Sequence, residues 1–276
     1  MKKVLIVDDD VLIVRLLTEL LKSDDIAITT ANDGAQAWEK IQRETFDLLI
    51  TDIWMPQMSG LELLSIVRTL PQQPKIIVMS ADDTPEVMLK AAKEQGHVFI
   101  RKPFKAVETA QFIQEVLEKP VASPIEIVSA KPGWVEMIVP CERANVDRIH
   151  DMMFKLKGDL PQDVRENVSQ AFRELLMNAM EWGGKFDPNR KIRISYLRAK
   201  KMLLYRIADP GSGFNFEGLQ HAAVSNPPDD PIGHMKIREE KGIRPGGLGI
   251  LMTMSLVDEL LYNEAQNEVV FVKYLE

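Results

Sequence analysis

The first 118 residues alternate short apolar runs with segments of helical apolar spacing, five times over. The runs are Lys3–Val7, Ile26–Thr30, Leu48–Thr51, Lys75–Met79 and Val98–Ile100. Parallel strands read this way when both of their faces are covered. Between them, Val11–Leu21, Gly34–Gln42, Leu61–Leu70, Glu86–Glu94 and Val107–Glu118 follow the spacing of amphipathic helices. Such alternation predicts a doubly wound α/β domain built on a five-stranded parallel sheet.

The pattern changes after residue 118. Residues 119–133 hold Pro120, Pro124, Pro132 and Gly133 with few large apolar side chains, which predicts a semi-extended linker. Beyond it, Val135–Val139 reads as a strand, and Arg143–Lys157 and Asp163–Met180 as helices. Lys191–Tyr196 and Met202–Ala208 read as a strand hairpin, Phe214–Pro245 as irregular, Gly249–Leu260 as helix and Glu268–Leu275 as a last strand. Strands and helices no longer alternate one for one, so this half is α+β. The organisation expected is a domain over 1–118, a linker over 119–133 and a second domain over 134–276. A length of 276 residues suits two domains of about 150 each.

Charge narrows the partners. Residues 1–120 hold 14 basic and 19 acidic side chains, and residues 121–276 hold 20 and 22. Neither half has the basic excess of a nucleic-acid binder, so no nucleic-acid partner is expected. The single cysteine, Cys141, cannot form an internal disulfide and reads as a buried apolar residue. The apolar stretch Val4–Val7 is too short for a signal peptide. The longest later run, Leu248–Val257, falls well short of the roughly 20 residues of a membrane span. The expectation is a cytoplasmic protein with no membrane partner.

Ligands of doubly wound sheets bind at the carboxyl ends of the strands. There this sequence places Asp8 and Asp9 after the first strand, Asp52 after the third, Ser80 after the fourth and Lys102 after the fifth. Three converging carboxylates repel one another and call for a cation, and hard oxygen ligands suit Mg²⁺. Lys102 adds a fixed positive charge and Ser80 a hydroxyl. The set fits phosphoryl transfer with Asp52 as the nucleophile. Asp10 reads as a helix N-cap.

These residues resemble the receiver domain of bacterial response regulators, a flavodoxin-like fold, over about residues 1–120. The likeness rests on Asp8-Asp9, on Asp52-x-x-Met55-Pro56 with Gly60 after it, on Ser80-Ala81 and on Lys102-Pro103-Phe104. It implies that Asp52 is the phosphoacceptor for a sensor histidine kinase. It implies Asp9 and Asp52 as direct Mg²⁺ ligands, Asp8 through water, and the Trp54 backbone carbonyl as a further ligand. Ser80 would be the switch hydroxyl and Lys102 the phosphate partner, with a cis Lys102-Pro103 bond. Phe99 stands where the family often has a Tyr or other aromatic, so any signal through it must travel by packing.

The second half holds three separate pieces. Glu174 and Asn178 are four apart on one helix face. Asp209-Pro-Gly-Ser-Gly-Phe214 follows a strand, and its glycines allow close backbone approach. Gly246-Gly-Leu-Gly249 directly precedes a helix, whose free N–H groups and positive end favour phosphate. No P-loop sequence is present.

In this order the pieces resemble the ATPase fold of histidine kinases, gyrase and Hsp90, over about residues 134–276. Within it they are most similar to the anti-sigma-factor type of serine/threonine kinase. Arg173-Glu-Leu-Leu-Met-Asn-Ala179 looks like its N box, and Asp209–Phe214 like its first glycine box. Arg244-Pro-Gly-Gly-Leu-Gly-Ile250 with Leu256-Val-Asp258 looks like the second. The resemblance implies a two-layer α+β sandwich that binds ATP. Asn178 would hold Mg²⁺, Glu174 would be the general base, and Asp209 would accept from the adenine amino group. Gly211 and Gly213 would let adenine pack closely, and Gly247, Leu248 and Gly249 would meet the phosphates. Residues 216–245 would form a lid. Trp182-Gly183 stands where the family often has His-Gly.

The function expected is a response regulator phosphorylated on Asp52 that controls an ATP-dependent serine/threonine kinase. Its partners would be a sensor histidine kinase and an anti-anti-sigma-type protein. An ATP-binding module that sequesters a sigma factor is the alternative, and a phosphatase or inert scaffold driven by the receiver is a third. A histidine kinase would need a phosphoaccepting His on a two-helix stalk. Only 23 residues separate His150 from Glu174, too few for one. His97, His221 and His234 read as surface or packing residues. A homodimer through Arg143–Lys157 or the receiver's last helices stays open.

Overall fold

The computed structural model describes every residue except 83, 95–97, 119–122, 132, 158, 215–222, 224–229, 231, 241–246 and 276. The chain divides into two compact units, Met1–Val121 and Ala122–Glu276.

The first unit runs β1 (Lys2–Val7), α1 (Val11–Leu21), β2 (Ile26–Ala31), α2 (Gly34–Ile41), β3 (Leu48–Asp52), α3 (Gly60–Val67), β4 (Lys75–Ser80), α4 (Pro85–Lys93), β5 (Val98–Arg101) and α5 (Ala106–Glu118). All five strands are parallel, as the alternation predicts, and they lie in the order β2-β1-β3-β4-β5. Alternate strand residues feed two apolar clusters. Leu5, Val7, Leu49 and Val78 pack on one face with Leu63, Leu64 and Val67 of α3. Val4, Ile6, Ile50, Ile77 and Met79 pack on the other with Leu17 of α1 and Ile113 of α5. The chain reverses beyond each strand's carboxyl end, so all the polar strand-end residues emerge on one rim. Asp10 caps α1, accepting from Leu12 N at 2.8 Å.

The second unit begins earlier than the sequence suggests. Residues 126–131, expected within the linker, form β6 (Glu126–Lys131), paired antiparallel with β7 (Trp134–Pro140). Pro124 lies before the strand, so it does not interrupt the ladder. Then follow α6 (Arg143–Lys155), α7 (Gln162–Asn178), β8 (Lys191–Ala199), β9 (Met202–Ala208), α8 (Gly233–Glu240), α9 (Gly249–Leu256), β10 (Glu259–Tyr262) and β11 (Glu268–Tyr274). The antiparallel sheet has the order β10-β11-β9-β8-β7-β6. Helices α6 and α9 pack against α7, and α7 against β9, giving the expected α+β layers. The helix expected over 249–260 stops at Leu256. Asp258 takes the Tyr274 N–H at 2.6 Å and Lys273 Nζ at 2.8 Å, and this ties the chain into β10 beside β11. Within the irregular 214–245 segment, Gly233–Glu240 is helical.

Lys157 is buried inside this unit. Its side chain has no exposed surface, and Nζ donates to Ser169 Oγ at 2.9 Å and lies 5.5 Å from the centre of the Tyr205 ring. Burial first, then nearby Arg165, brings its pKa down to about 7. An unfolded chain holds that proton until about pH 10.4. The unfolded state therefore binds more protons between those values, and stability rises with pH across that window. Unfolding free energy should climb by about 1.5 kcal/mol between pH 7 and 8.5 from this group. In Lys157→Met that share of the slope should vanish. Urea unfolding of both proteins at several pH values checks this, and equal slopes would contradict it.

Candidate functional sites

In the first unit the strand-end residues meet. Asp8 directly follows β1 and is buried, Asp9 is exposed, and Asp52 at the end of β3 is 6% exposed. One carboxylate oxygen from each lies within 4.8 Å of the others. Lys102 Nζ bridges two of them, 2.7 Å from Asp8 Oδ2 and 2.8 Å from Asp52 Oδ1. The Trp54 N–H donates to Asp52 Oδ2 at 3.0 Å, and the Asp10 N–H to Asp8 Oδ1 at 3.1 Å. Ser80 ends β4 fully buried, and its Oγ accepts from the Asp82 N–H at 3.1 Å. The Lys102 N–H bonds the Ser80 carbonyl at 2.8 Å, fixing the lysine backbone beside Ser80. The Lys102-Pro103 bond is cis. Phe99 packs against the cluster that holds Val78 and Val87.

Gly60 explains how Asp52 reaches this position. A Cβ there would lie 1.9 Å from the Asp52 carbonyl oxygen, so only glycine lets α3 start against the end of β3.

Electrostatics follow from burial. Desolvation pushes the Asp8 carboxyl up, although Lys102 opposes this. Burial also works against the charge on Lys102, but its bonds to Asp52 and Asp8 outweigh that and raise its pKa. One ammonium therefore faces three carboxyl groups. The surplus negative charge and the hard oxygen donors fit a divalent cation of the Mg²⁺ kind. Asp8, Asp9, Asp52 and the Trp54 carbonyl are the residues that would hold it.

In the second unit, Glu174, Asn178, Asp209, Gly211, Gly213, Gly247, Leu248 and Gly249 all line one cavity of about 720 Å³. Helix α7 supplies the first two. Where it would end, the chain makes a π-helical turn, Ala179–Gly183, closed by the Gly184 N–H to the Ala179 carbonyl at 2.8 Å. Such turns recur at functional sites. Glu174 faces the glycine-rich turn so closely that a Cβ on Gly249 would lie 2.6 Å from its Oε2.

Asp209 lines the same cavity from just beyond β9. Its Oδ1 accepts from the Gly211 N–H at 2.7 Å, and a Cβ on Gly183 would come within 2.1 Å of the same oxygen. Burial raises the Asp209 pKa, against the Gly211 N–H and Arg190, which lower it. The β10–β11 turn clamps this loop: Asn267 donates to the Gly211 carbonyl at 3.0 Å, and the Asp209 N–H bonds the Asn267 carbonyl at 2.9 Å. Gly213, at φ 79°, passes so near that a Cβ would meet the Ala265 carbonyl oxygen at 1.5 Å.

Sequence reasoning missed several lining residues: Lys185, Arg190, Tyr262 and Asn267. Tyr262 lies on β10, a strand of four residues too short to show a period. Its ring meets Phe214 edge-on with centroids 5.4 Å apart, and burial, with Asp209 next, pushes its hydroxyl up to about 12. Trp182 lines the cavity, half exposed. Most of the expected lid, with His97, His221 and Gly246, lies outside the described residues. His234 is buried, and His150 on α6 pairs with Asp151 at 3.6 Å. Cys141 is buried, as expected.

Comparison with protein families matches these two sites. Residues 4–121 match the response regulator receiver domain, and residues 144–273 the histidine kinase-like ATPase domain. The chain is a response regulator receiver domain followed by a histidine kinase-like ATPase domain. Over 202 residues the protein is 24% identical to the DNA-binding response regulator MtrA of Mycobacterium leprae, covering 72% of this chain and 88% of MtrA. Among solved structures, it is 30% identical to the chemotaxis response regulator CheY4 of Vibrio cholerae, over 42% of this chain and 98% of CheY4, with a TM-score of 0.40. It is 32% identical to the response regulator TrrA of Thermotoga maritima, over 42% of this chain and 99% of TrrA, with a TM-score of 0.38. The acidic pocket thus lies within the receiver domain, and the residues lining the cavity lie within the histidine kinase-like ATPase domain. No described helix is long and apolar enough to cross a membrane.

Proposed function

We propose that Asp52 of the receiver takes a phosphoryl group from a sensor histidine kinase and so controls phosphorylation of serine or threonine on a partner protein by the ATPase domain. Convergence of Glu174 with the Gly247–Gly249 turn in the cavity that also holds Asp209 carries this reading. With no metal ion between them, a carboxylate facing the glycine-rich turn repels an anionic nucleotide. It does have a role toward a hydroxyl that must lose its proton.

In the receiver, an Asp52 oxygen attacks phosphorus, the bond to the donor imidazole breaks, and an acyl phosphate forms. Lys102, already bonded to Asp52, stays protonated and pairs with the added negative charge. Bound Mg²⁺ supplies charge neutralisation on the phosphoryl oxygens at both sites. Ser80 reports the new group through its hydroxyl and through β4.

In the ATPase domain, Asp209 accepts from the base amino group, and Gly211 and Gly213 admit the ring edge. Asn178 is the residue that would hold the metal ion, which would neutralise phosphate charge. The backbone of Gly247, Leu248 and Gly249 at the start of α9 meets the phosphate oxygens. Glu174 removes the proton from the partner's hydroxyl, whose oxygen attacks the γ-phosphorus as ADP leaves. The partner fits an anti-anti-sigma-type protein.

Incubating the full chain with labelled ATP, Mg²⁺ and such a partner tests this. Label on serine or threonine of the partner is expected. ATP binding with an unlabelled partner held in complex would instead make the domain a sequestering module.

A further inference from the structure

Arg190 lies in the loop before β8, lines the nucleotide cavity and has no part in the mechanism above. Its Nη1 donates to the Gly183 carbonyl at 2.8 Å. Gly183 in turn abuts Asp209 at the distance where a single added carbon would collide with Oδ1. The same arginine is anchored through its own backbone. Its N–H bonds the Asp187 carbonyl at 3.0 Å, and its carbonyl takes the Cys141 N–H at 2.9 Å. An arginine whose backbone is fixed between the end of β7 and the start of β8 therefore holds, through its guanidinium, the end of the π-helical turn that presses on the Asp209 carboxylate.

We infer that Arg190 is a positioning residue of the nucleotide site, holding Gly183 against Asp209 so that the carboxylate meets the base. This rests on the reading of the cavity as an ATP site. The charge acts in the same direction as the geometry. Arg190 lowers the Asp209 pKa against the effect of burial. The other charged and titratable groups here, among the described residues, are Lys185, Glu174 and Glu268, which line the cavity, Asp187, which acts on the Cys141 thiol, and that thiol and the Tyr262 hydroxyl, which burial and Asp209 raise so that both are neutral at physiological pH. Arg190 is thus the cation that favours an ionised acceptor there. Gly183 needs no side chain for this purpose, and any other residue at 183 would displace the carboxylate.

ATP titration of the full chain at pH 6 and pH 8 tests the inference, with wild type, Arg190→Met and Arg190→Lys compared. Arg190→Met should bind ATP roughly tenfold more weakly at pH 8, the loss of one charge-assisted contact. Its affinity should fall further at pH 6, by a larger ratio than in wild type, because Asp209 then protonates more readily. Arg190→Lys should keep a near wild-type pH ratio while recovering only part of the affinity. Circular dichroism of each variant separates this from unfolding, and Arg190→Gln, with the same expectation, takes the place of Arg190→Met if the latter fails to fold. Equal pH ratios in wild type and the folded charge-removing variant would overturn the inference while leaving ATP binding intact. No ATP binding by wild type would overturn the ATP reading and the inference with it.

Discussion

Asp52→Asn should take up no phosphate from a small donor such as acetyl phosphate, whereas the wild-type chain acquires one alkali-labile group. The expected loss is complete, because the amide nitrogen replaces the attacking oxygen and removes the charge. Asp52 Oδ1 is held 2.8 Å from Lys102 Nζ and Oδ2 3.0 Å from the Trp54 N–H. The side chain therefore has one orientation. Asp8 and Asp9 each have a carboxylate oxygen within 4.8 Å of one on Asp52, but Asp8 is held away from the acceptor role. Asp8 is fully buried with one oxygen on Lys102 and the other on the Asp10 N–H. Labelling and mass spectrometry of both proteins decide the matter. Full labelling of Asp52→Asn would mean that another carboxylate is the acceptor.

Glu174→Gln should abolish transfer from ATP to the partner's hydroxyl while leaving ATP affinity within about threefold. Removal of a positioned general base costs roughly 10²- to 10⁴-fold in rate. Glutamine keeps the shape of the side chain that faces Gly249, where a Cβ would lie 2.6 Å from Oε2. The packing of α7 on α9 should therefore survive. A partner labelled equally fast by wild type and variant would remove Glu174 from the chemistry.

Much of this was legible in the residues. The βα rhythm gives the receiver sheet because its strands are buried on both faces and its helices on one, so period alone separates them. The strand-end positions of Asp8, Asp52, Ser80 and Lys102 then place the acidic pocket. The ATPase cavity was legible only in pieces, since Glu174, Asp209 and Gly249 lie far apart in sequence and carry no shared periodicity. Edge strands escaped for a different reason. β6 has a weak exposed pattern between two prolines, and β10 has four residues whose pairing is set by Asp258 holding Tyr274 and Lys273. Arg190 gave no signal at all, because its role depends on a carbonyl seven residues away in a π-helical turn.

Control of the ATPase cavity by the acidic pocket is tested most directly by calorimetric titration of the full chain with Mg²⁺ and ATP, with and without a beryllofluoride acyl-phosphate mimic on Asp52. A change of at least about fivefold in ATP affinity is expected, the low end of ordinary coupling between sites. Identical affinities in the two states would contradict control through nucleotide binding.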